Sequence, residues 1–287
     1  MATPAEVLVR DSQRLQQALD LDLREARLEV QILLCDALDV ARSWLIGHDR
    51  DVVPESAAQN YSGLLTRRLA GEPIAYIIRR REFFGLEFKT TPAVLIPRPE
   101  TELLVELALA RIPENQPCKV LDLGTGSGAI AISIARNRPL ATVTAVDRSP
   151  EALAVARDNA ARLQAPNLRL LHSDWFGALD AQTFDLIVSN PPYVEAADPH
   201  LQRGDVRFEP LSALASGVDG LDDIRLIAAA APQHLKPGGW LLLEHGYNQG
   251  EGCRDILRLQ GFSEVESVHD LAGLERVSMG SKAPAGR

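Results

Sequence analysis

Asn190-Pro191-Pro192-Tyr193 directly follows an apolar run, Phe184 to Ser189. An asparagine oxygen at the tip of a strand is a fixed acceptor. Each proline removes a backbone donor and stiffens the turn, while its carbonyl stays available. Acceptors gathered in this way suit a planar NH2 group. Tyr193 offers a flat face on which an amide or a base can pack. The competing reading is a proline-rich turn capped by an asparagine.

A second group lies at Asp122-Leu123-Gly124-Thr125-Gly126-Ser127-Gly128-Ala129-Ile130-Ala131. It sits where an apolar strand gives way to a helical pattern. Glycines there let the backbone turn and approach a ligand closely. The spacing fits the dinucleotide fingerprint GxGxxA. It also fits DxGxGxG, the pattern of S-adenosylmethionine (AdoMet) enzymes. AdoMet has no pyrophosphate, so its loop needs close approach more than an anion cradle. A ligand-free tight turn is the third reading.

Asp147 ends the next apolar run. A carboxylate in that position can accept both ribose hydroxyls of an adenosine. It can equally be a helix N-terminal acid facing the dipole. Ser173-Asp174-Trp175 follows the third run, where Asp174 could accept from an adenine amino group. Trp175 could cover the ring face, or could belong to the core.

These residues need elements to position them. From residue 94 onward, apolar strands alternate with helical stretches. Strands are expected at Cys118–Leu123, Ala141–Val146, Leu168–Leu171, Phe184–Ser189 and, after a Pro-Gly-Gly turn, Gly239–Leu243. A helix is expected at Ala129–Arg136. Another should follow Ser149, which suits the N-cap, with Pro150 at its first position. Continuous apolar strands between helices imply a parallel sheet covered on both faces. All four groups then fall at carboxyl ends of neighbouring strands, the edge where open α/β sheets bind ligands.

The preceding residues differ. Leu23 to Ala37 places apolar residues at 23, 26, 30, 33, 34 and 37, one face of a helix. Ala57, Tyr61, Leu64, Leu65 and Leu69 repeat the pattern, and Gly71-Glu72-Pro73 breaks it. Glu82 to Thr91 alternates around Gly85 and reads as a short hairpin. Arg79, Arg80, Arg81 and Lys89 outnumber Glu82 and Glu87 there. Their simplest role is to protect an edge strand from aggregation, and a contact with an acidic or RNA-bearing partner is the alternative. The division is residues 1–75, a helical module; 76–93, a hairpin connector; and 94–287, the α/β part. The tail Ser281 to Arg287 is expected to be loose.

Composition excludes several classes. A net charge of -9 disfavours non-specific nucleic-acid binding. Cys35, Cys118 and Cys253 are far apart and no CxxC occurs. Neither a disulfide framework nor a zinc site is indicated, and no metal is expected. No signal-like start and no membrane-spanning run is read, so a cytoplasmic protein is expected.

The sequence resembles a known family. DxGxGxG together with NPPY is typical of class I AdoMet-dependent methyltransferases acting on planar amino nitrogens. The fuller set is similar to the peptide chain release factor glutamine N5-methyltransferases (PrmC/HemK). That set comprises Gly71 to Tyr76, Arg81 to Phe84, Leu95-Ile-Pro-Arg-Pro-Glu-Thr101, the glycine loop, Val188 to Tyr193, Arg207 to Pro210 and Leu243 to Gly246. It covers nearly the whole chain. NPPY alone is shared with nucleic-acid adenine methyltransferases, and a relative that modifies a ribosomal-protein glutamine is a further alternative. The Pro-Arg-Pro-Glu segment favours the release factor.

The resemblance implies a Rossmann-like seven-stranded sheet with a small N-terminal helical domain joined by a hairpin. It implies AdoMet as cofactor and S-adenosyl-L-homocysteine as product. Gly124, Thr125, Gly126, Ser127 and Gly128 would line the cofactor. Asp147 would hold its ribose and Trp175 its adenosine end. Asn190 would touch both cofactor and substrate, and Pro191, Pro192 and Tyr193 would hold the substrate glutamine. The implied partner is the Gly-Gly-Gln loop of a bacterial class 1 release factor, read by a monomeric enzyme. Glu209 and Glu244 are candidates for shaping the loop, and no residue is needed as a strong general base.

Overall fold

The computed structural model describes residues 2–284, which divide into two compact units. Of the described residues, the first comprises 2–80 together with 202–208, and the second 81–201 and 209–284.

The first unit holds helices α1 (Pro4–Leu19), α2 (Leu23–Leu38), α3 (Arg42–Gly47), α4 (Glu55–Leu69) and α5 (Ile74–Ile77). A capping box at Thr3 and Glu6 starts α1, and the Asp22 carboxylate caps α2. Leu15, Val30, Leu33, Leu34, Tyr61 and Leu65 form its core. The buried Asp11 of α1 accepts from Tyr61 Oη at 3.0 Å and pairs with Arg10 and Arg14. Those bonds outweigh burial and hold its carboxyl below the usual range. Residues 202–208 join this unit through Arg68. Its buried guanidinium binds both Glu29 oxygens at 2.8 Å and Asp205 Oδ1 at 2.7 Å.

The break at residues 80 and 81 falls in strand β1 (Arg80–Phe83), which pairs with β2 (Leu86–Lys89). Phe84 and Gly85 between them have φ of 51° and 72°, the pattern of a type I′ hairpin turn. Arg79, just before β1, takes the left-handed conformation at φ 58°. Arg80 pairs with Asp36 at 2.8 Å and Lys89 with Asp158 at 2.5 Å.

The second unit continues with α6 (Glu102–Arg111), β3 (Cys118–Leu123), α7 (Ala129–Asn137), β4 (Ala141–Asp147), α8 (Pro150–Arg162), β5 (Leu168–His172) and β6 (Phe184–Ser189). It ends with α9 (Asp222–His234), β7 (Leu235–Glu244), α10 (Gly250–Leu259), β8 (Ser263–His269) and β9 (Glu275–Ser281). The seven-stranded sheet has the order β5-β4-β3-β6-β7-β9-β8, parallel through β7 and antiparallel at β9 and β8. Successive residues of a strand serve opposite cores. Val120, Leu186, Val188 and Leu242 pack in one cluster, while Leu121, Ile187, Leu241 and Leu243 pack in the other. That two-sided burial explains the unbroken apolar runs.

Two expectations need correction. β7 begins at Leu235, not Gly239, and its Pro-Gly-Gly run is absorbed as a register shift opposite Phe184 and Leu186. The tail is anchored further than expected. Ser281 closes β9, and the Lys282 ammonium donates to the Pro232 and Leu235 carbonyls at 2.6 and 2.7 Å. Residues 285–287 of that segment lie outside the described residues.

Strands β4 and β5 run outward from one side of β3, while β6 lies on its other side. The chain therefore reverses direction across the sheet between β3 and β6, which opens a crevice at their carboxyl ends.

Candidate active site

The crevice is a cleft of about 260 Å³. Gly124 and Gly126 follow β3, and the N–H groups of Gly124 and Thr125 both donate to Val146 O of β4, at 3.0 and 2.9 Å. Gly126 has φ of 55°, and no atom lies within 4 Å of where its Cβ would stand. Its backbone thus faces open space, as close approach to a ligand requires. At Gly128 a Cβ would stand 2.8 Å from Ile132 Cδ1, so glycine there serves the start of α7.

Asp147 closes the turn. Its Oδ2 accepts from Gly126 N at 2.8 Å and its Oδ1 from Ser149 N at 2.9 Å. Each carboxylate oxygen retains a further lone pair for a ligand hydroxyl. Ser149 caps α8 through Ala152 N at 3.0 Å, and Glu151 joins the cleft wall.

Trp175 lines the cleft with its ring 3.4 Å from the Gly124 Cβ position. It also packs against the core, so cleft wall and core are one residue. Its backbone is left-handed at φ 44°, held by Ser173 Oγ, which donates to Trp175 O at 2.8 Å. Such a conformation costs a bulky residue energy and marks a constrained site. Asp174 stands beside it in the lining.

Asn190 and Pro192 face the same cleft. Asn190 Nδ2 donates to Thr101 Oγ1 at 3.1 Å, which leaves Oδ1 without a protein donor among the described residues. No described backbone N–H takes the Pro191 carbonyl. Tyr193 N donates to Leu214 O at 3.1 Å, and its carbonyl accepts from Gln249 Nε2 at 3.0 Å. The corner is thereby pinned on both sides while its acceptors stay open.

Among the glycine-loop residues, Gly124 and Gly126 line the cleft, whereas Thr125, Ser127 and Gly128 lie behind it. Thr125 Oγ1 donates to the buried Asp122 at 2.7 Å, and Ser127 O accepts from Asn159 Nδ2 at 2.9 Å. Pro191 and Tyr193 also stand behind the lining. The Tyr193 hydroxyl lies 3.5 Å from Glu244, and burial raises its pKa well above the ordinary value. Glu209 is buried. It accepts from Ile96 N at 3.0 Å and pairs with Arg98.

Sequence reasoning missed the part played by Thr101. It lies 89 positions from Asn190 and only the folded chain brings them together. Its place in the Leu95–Thr101 segment is the one signal pointing to it. Glu244 at the end of β7 is fully buried, and burial pushes its carboxyl up to about 7. Burial, with the nearby Asp147 charge, pushes Asp122 up to about 7 as well.

Among the described residues, no helix is long and apolar enough to cross a membrane, and no cluster of metal-ligating side chains occurs.

Two family models match the chain: a methyltransferase small domain over residues 98–204 and the PrmC N-terminal domain over residues 6–78. The release factor glutamine methyltransferase of Pseudomonas aeruginosa is 51% identical over 262 residues, 91% of this chain and 95% of that one. The enzyme of that name from Escherichia coli is 48% identical, covering 88% and 91%. The Burkholderia pseudomallei relative is 52% identical, covering 97% and 96%. Among solved structures, a methyltransferase from Pyrococcus furiosus superposes with a TM-score of 0.53 at 22% identity, covering 77% of this chain and 99% of that one. The 16S rRNA N2 G1207 methyltransferase of T. thermophilus, solved with AdoMet and guanosine, gives 0.53 at 24% identity, covering 71% and 49%. These two likenesses concern the fold.

Proposed function

The chain belongs to the release factor glutamine methyltransferase family, and we propose that it methylates the side-chain nitrogen (N5) of the Gly-Gly-Gln glutamine in class 1 peptide chain release factors, with AdoMet as donor. The observation that carries this reading is the open acceptor just after β6, Asn190 Oδ1, on a residue that lines the cleft.

The cleft residues fit AdoMet. Asp147 keeps lone pairs for ribose hydroxyls, Trp175 offers a flat wall, and Gly126 leaves room for close approach. The carboxylates of Asp147, Glu151 and Asp174 suit a cationic ligand. When bound, AdoMet supplies a sulfonium methyl that is already activated, with sulfur as the leaving group.

The protein's task is the nucleophile. An amide nitrogen shares its lone pair with the carbonyl, and the resulting rotation barrier in a peptide bond is about 18–20 kcal/mol. Attack needs a more pyramidal nitrogen on which positive charge develops. Acceptors aimed at both N–H bonds favour that state over the flat one, which is transition-state binding. They also hold the nitrogen in line with the methyl. The nitrogen gives its pair to the new N–C bond and afterwards sheds one proton to water. A strong base is therefore not required.

The first unit, residues 1–75 in the sequence reading, is proposed to recognise the release factor surface, since a single glutamine cannot define a protein substrate. The setting is the cytoplasm, where translation terminates. Mass spectrometry of a release factor incubated with the protein and AdoMet tests the reading. A single added methyl on the Gly-Gly-Gln peptide is expected, and its absence would refute the substrate assignment.

A further inference from the structure

Pro191 and Pro192 have no N–H, so backbone donation cannot hold two successive residues of the corner. Its path is then set at its two ends. At the first, Ser189 is registered with Leu243 of β7, and its Oγ donates to Leu123 O at 2.7 Å. At the second stands Tyr193. The Asn190 oxygen is fixed in the cleft only if both ends are fixed.

Gln249 holds the second end. It lies in the turn between β7 and α10. That turn is closed twice: Gln249 N donates to Gly246 O at 2.9 Å, and Gly246 N donates to Gln249 Oε1 at 2.8 Å. Across from it, Gln249 Nε2 donates to Tyr193 O at 3.0 Å and to Asp219 O at 3.2 Å. A carboxamide nitrogen has two protons, and each finds a carbonyl. All three partners are backbone groups of fixed polarity, one N–H and two carbonyls. The Gln249 amide therefore has a single orientation, since a half-turn would set N–H against N–H and oxygen against two oxygens.

The surroundings are built for this junction. Gly220, next to Asp219, has φ of 74°, and a Cβ there would collide with the Tyr193 carbonyl. Glycine lets the Asp219 and Tyr193 carbonyls converge on one nitrogen. One side chain thus ties together the corner, the loop at Asp219 and the turn after β7.

We propose that Gln249 is a positioning residue for methyl transfer, which, by holding the Tyr193 carbonyl, fixes the corner from which Asn190 Oδ1 faces the substrate nitrogen. The inference rests on the functional reading above. Gln249 stands outside the cleft lining and acts only through the corner.

Two variants of the full-length protein separate polarity from shape. Gln249→Glu keeps the shape and the acceptor for Gly246 N but loses both donors and sets a carboxylate oxygen against two carbonyls. Gln249→Met loses the donors and the acceptor alike. Each should lower kcat on a release factor by about 10- to 100-fold, as a small misplacement of a reacting group does, and Gln249→Glu should be at least as slow as Gln249→Met. AdoMet affinity, by calorimetry, should stay within about threefold, because the bonds at Gly126 and Asp147 do not involve Gln249. KM for the release factor should stay within the same range. In the Asn190→Ala background, Gln249→Met should have little further effect, since the group it positions is gone. Wild-type kcat in Gln249→Glu, full additivity with Asn190→Ala, or loss of AdoMet binding in both variants would each overturn the proposal.

A readout independent of turnover is the Asn190 side-chain NH2 pair in ¹⁵N–¹H spectra. Among the described residues no hydrogen bond joins Gln249 to Asn190. A shift of that pair in Gln249→Met, with the Gly126 amide unmoved, therefore reports displacement of the corner. If the wild type methylates no release factor, the substrate assignment falls, while this spectrum still decides whether Gln249 sets the corner. An Asn190 pair unmoved in both variants would refute the positioning role.

Discussion

Gly126 donates its backbone N–H to Asp147 Oδ2 at 2.8 Å. The turn after β3 and the end of β4 are therefore tied together before any ligand arrives. Asp147→Ala should loosen the loop and remove the ribose acceptor at once. A hydrogen bond to a charged group contributes about 1.5–3 kcal/mol, so AdoMet affinity should fall by about tenfold to a hundredfold. Calorimetry checks this, and an unaltered Kd would remove Asp147 from the binding site.

Asn190→Ala deletes the acceptor at the end of β6 without touching Asp147 or Trp175. AdoMet binding should persist, while turnover on a release factor should drop by about 10²–10³, the usual loss for one preorganised electrostatic partner. Steady-state kinetics beside calorimetry separates the two effects. Full turnover in this variant would discard the amide-acceptor mechanism.

Arg68 is buried with a side-chain exposure of 3% against 43% for its partner Asp205, so the two ends of that pair should respond differently. Arg68→Met strands the Glu29 carboxylate, which burial already raises above its ordinary pKa. Removing one partner of a buried pair costs about 3–5 kcal/mol. Asp205→Asn, at the wetter end, should cost well under half of that. Urea unfolding of the two variants tests the order, and a larger loss in Asp205→Asn would contradict it.

Two fully buried carboxyls, Asp122 and Glu244, are each pushed up to about 7 in the folded protein, chiefly by burial. Their ordinary values are 3.8 and 4.5. The fold therefore holds protons that the unfolded chain has released across that window. Their contribution to stability is complete below about pH 4 and is lost as pH rises toward 7. Glu244→Gln, which cannot ionise, should flatten the decline between pH 5 and 8 by about 1–3 kcal/mol. Unfolding midpoints across that range provide the measurement. A parallel profile for wild type and variant would show that Glu244 is not the group responsible.

What the sequence made legible was local. The glycines, Asp147, Trp175 and the Asn-Pro-Pro-Tyr corner each stand at the tip of an apolar strand, and a strand with both faces buried is conspicuous. The parallel strands β3 and β6 were accordingly readable to the residue, and β4 to within one. The antiparallel strands β8 and β9 were not read from pattern. Ser263 to His269 is an edge strand with most residues partly exposed, and Ser278, Gly280 and Ser281 supply polar or small residues to a buried strand. In α1 the inward face includes Asp11 and Ser12, so apolar spacing alone understates it. The Thr101–Asn190 and Ile96–Glu209 bonds join residues about a hundred positions apart, and no local periodicity encodes such pairings.

The first unit takes in residues 202–208 as well as the first eighty. The polypeptide consequently passes between the units three times rather than once. Severing it at a single point near residue 80 would not yield two self-sufficient pieces. The shorter piece would lack the seven residues that bring Asp205, and the longer one would carry them with no Arg68 to hold them. Grafting a foreign module in place of the first unit would therefore demand a matched replacement of that seven-residue stretch, which follows the Asn190–Tyr193 corner in the chain.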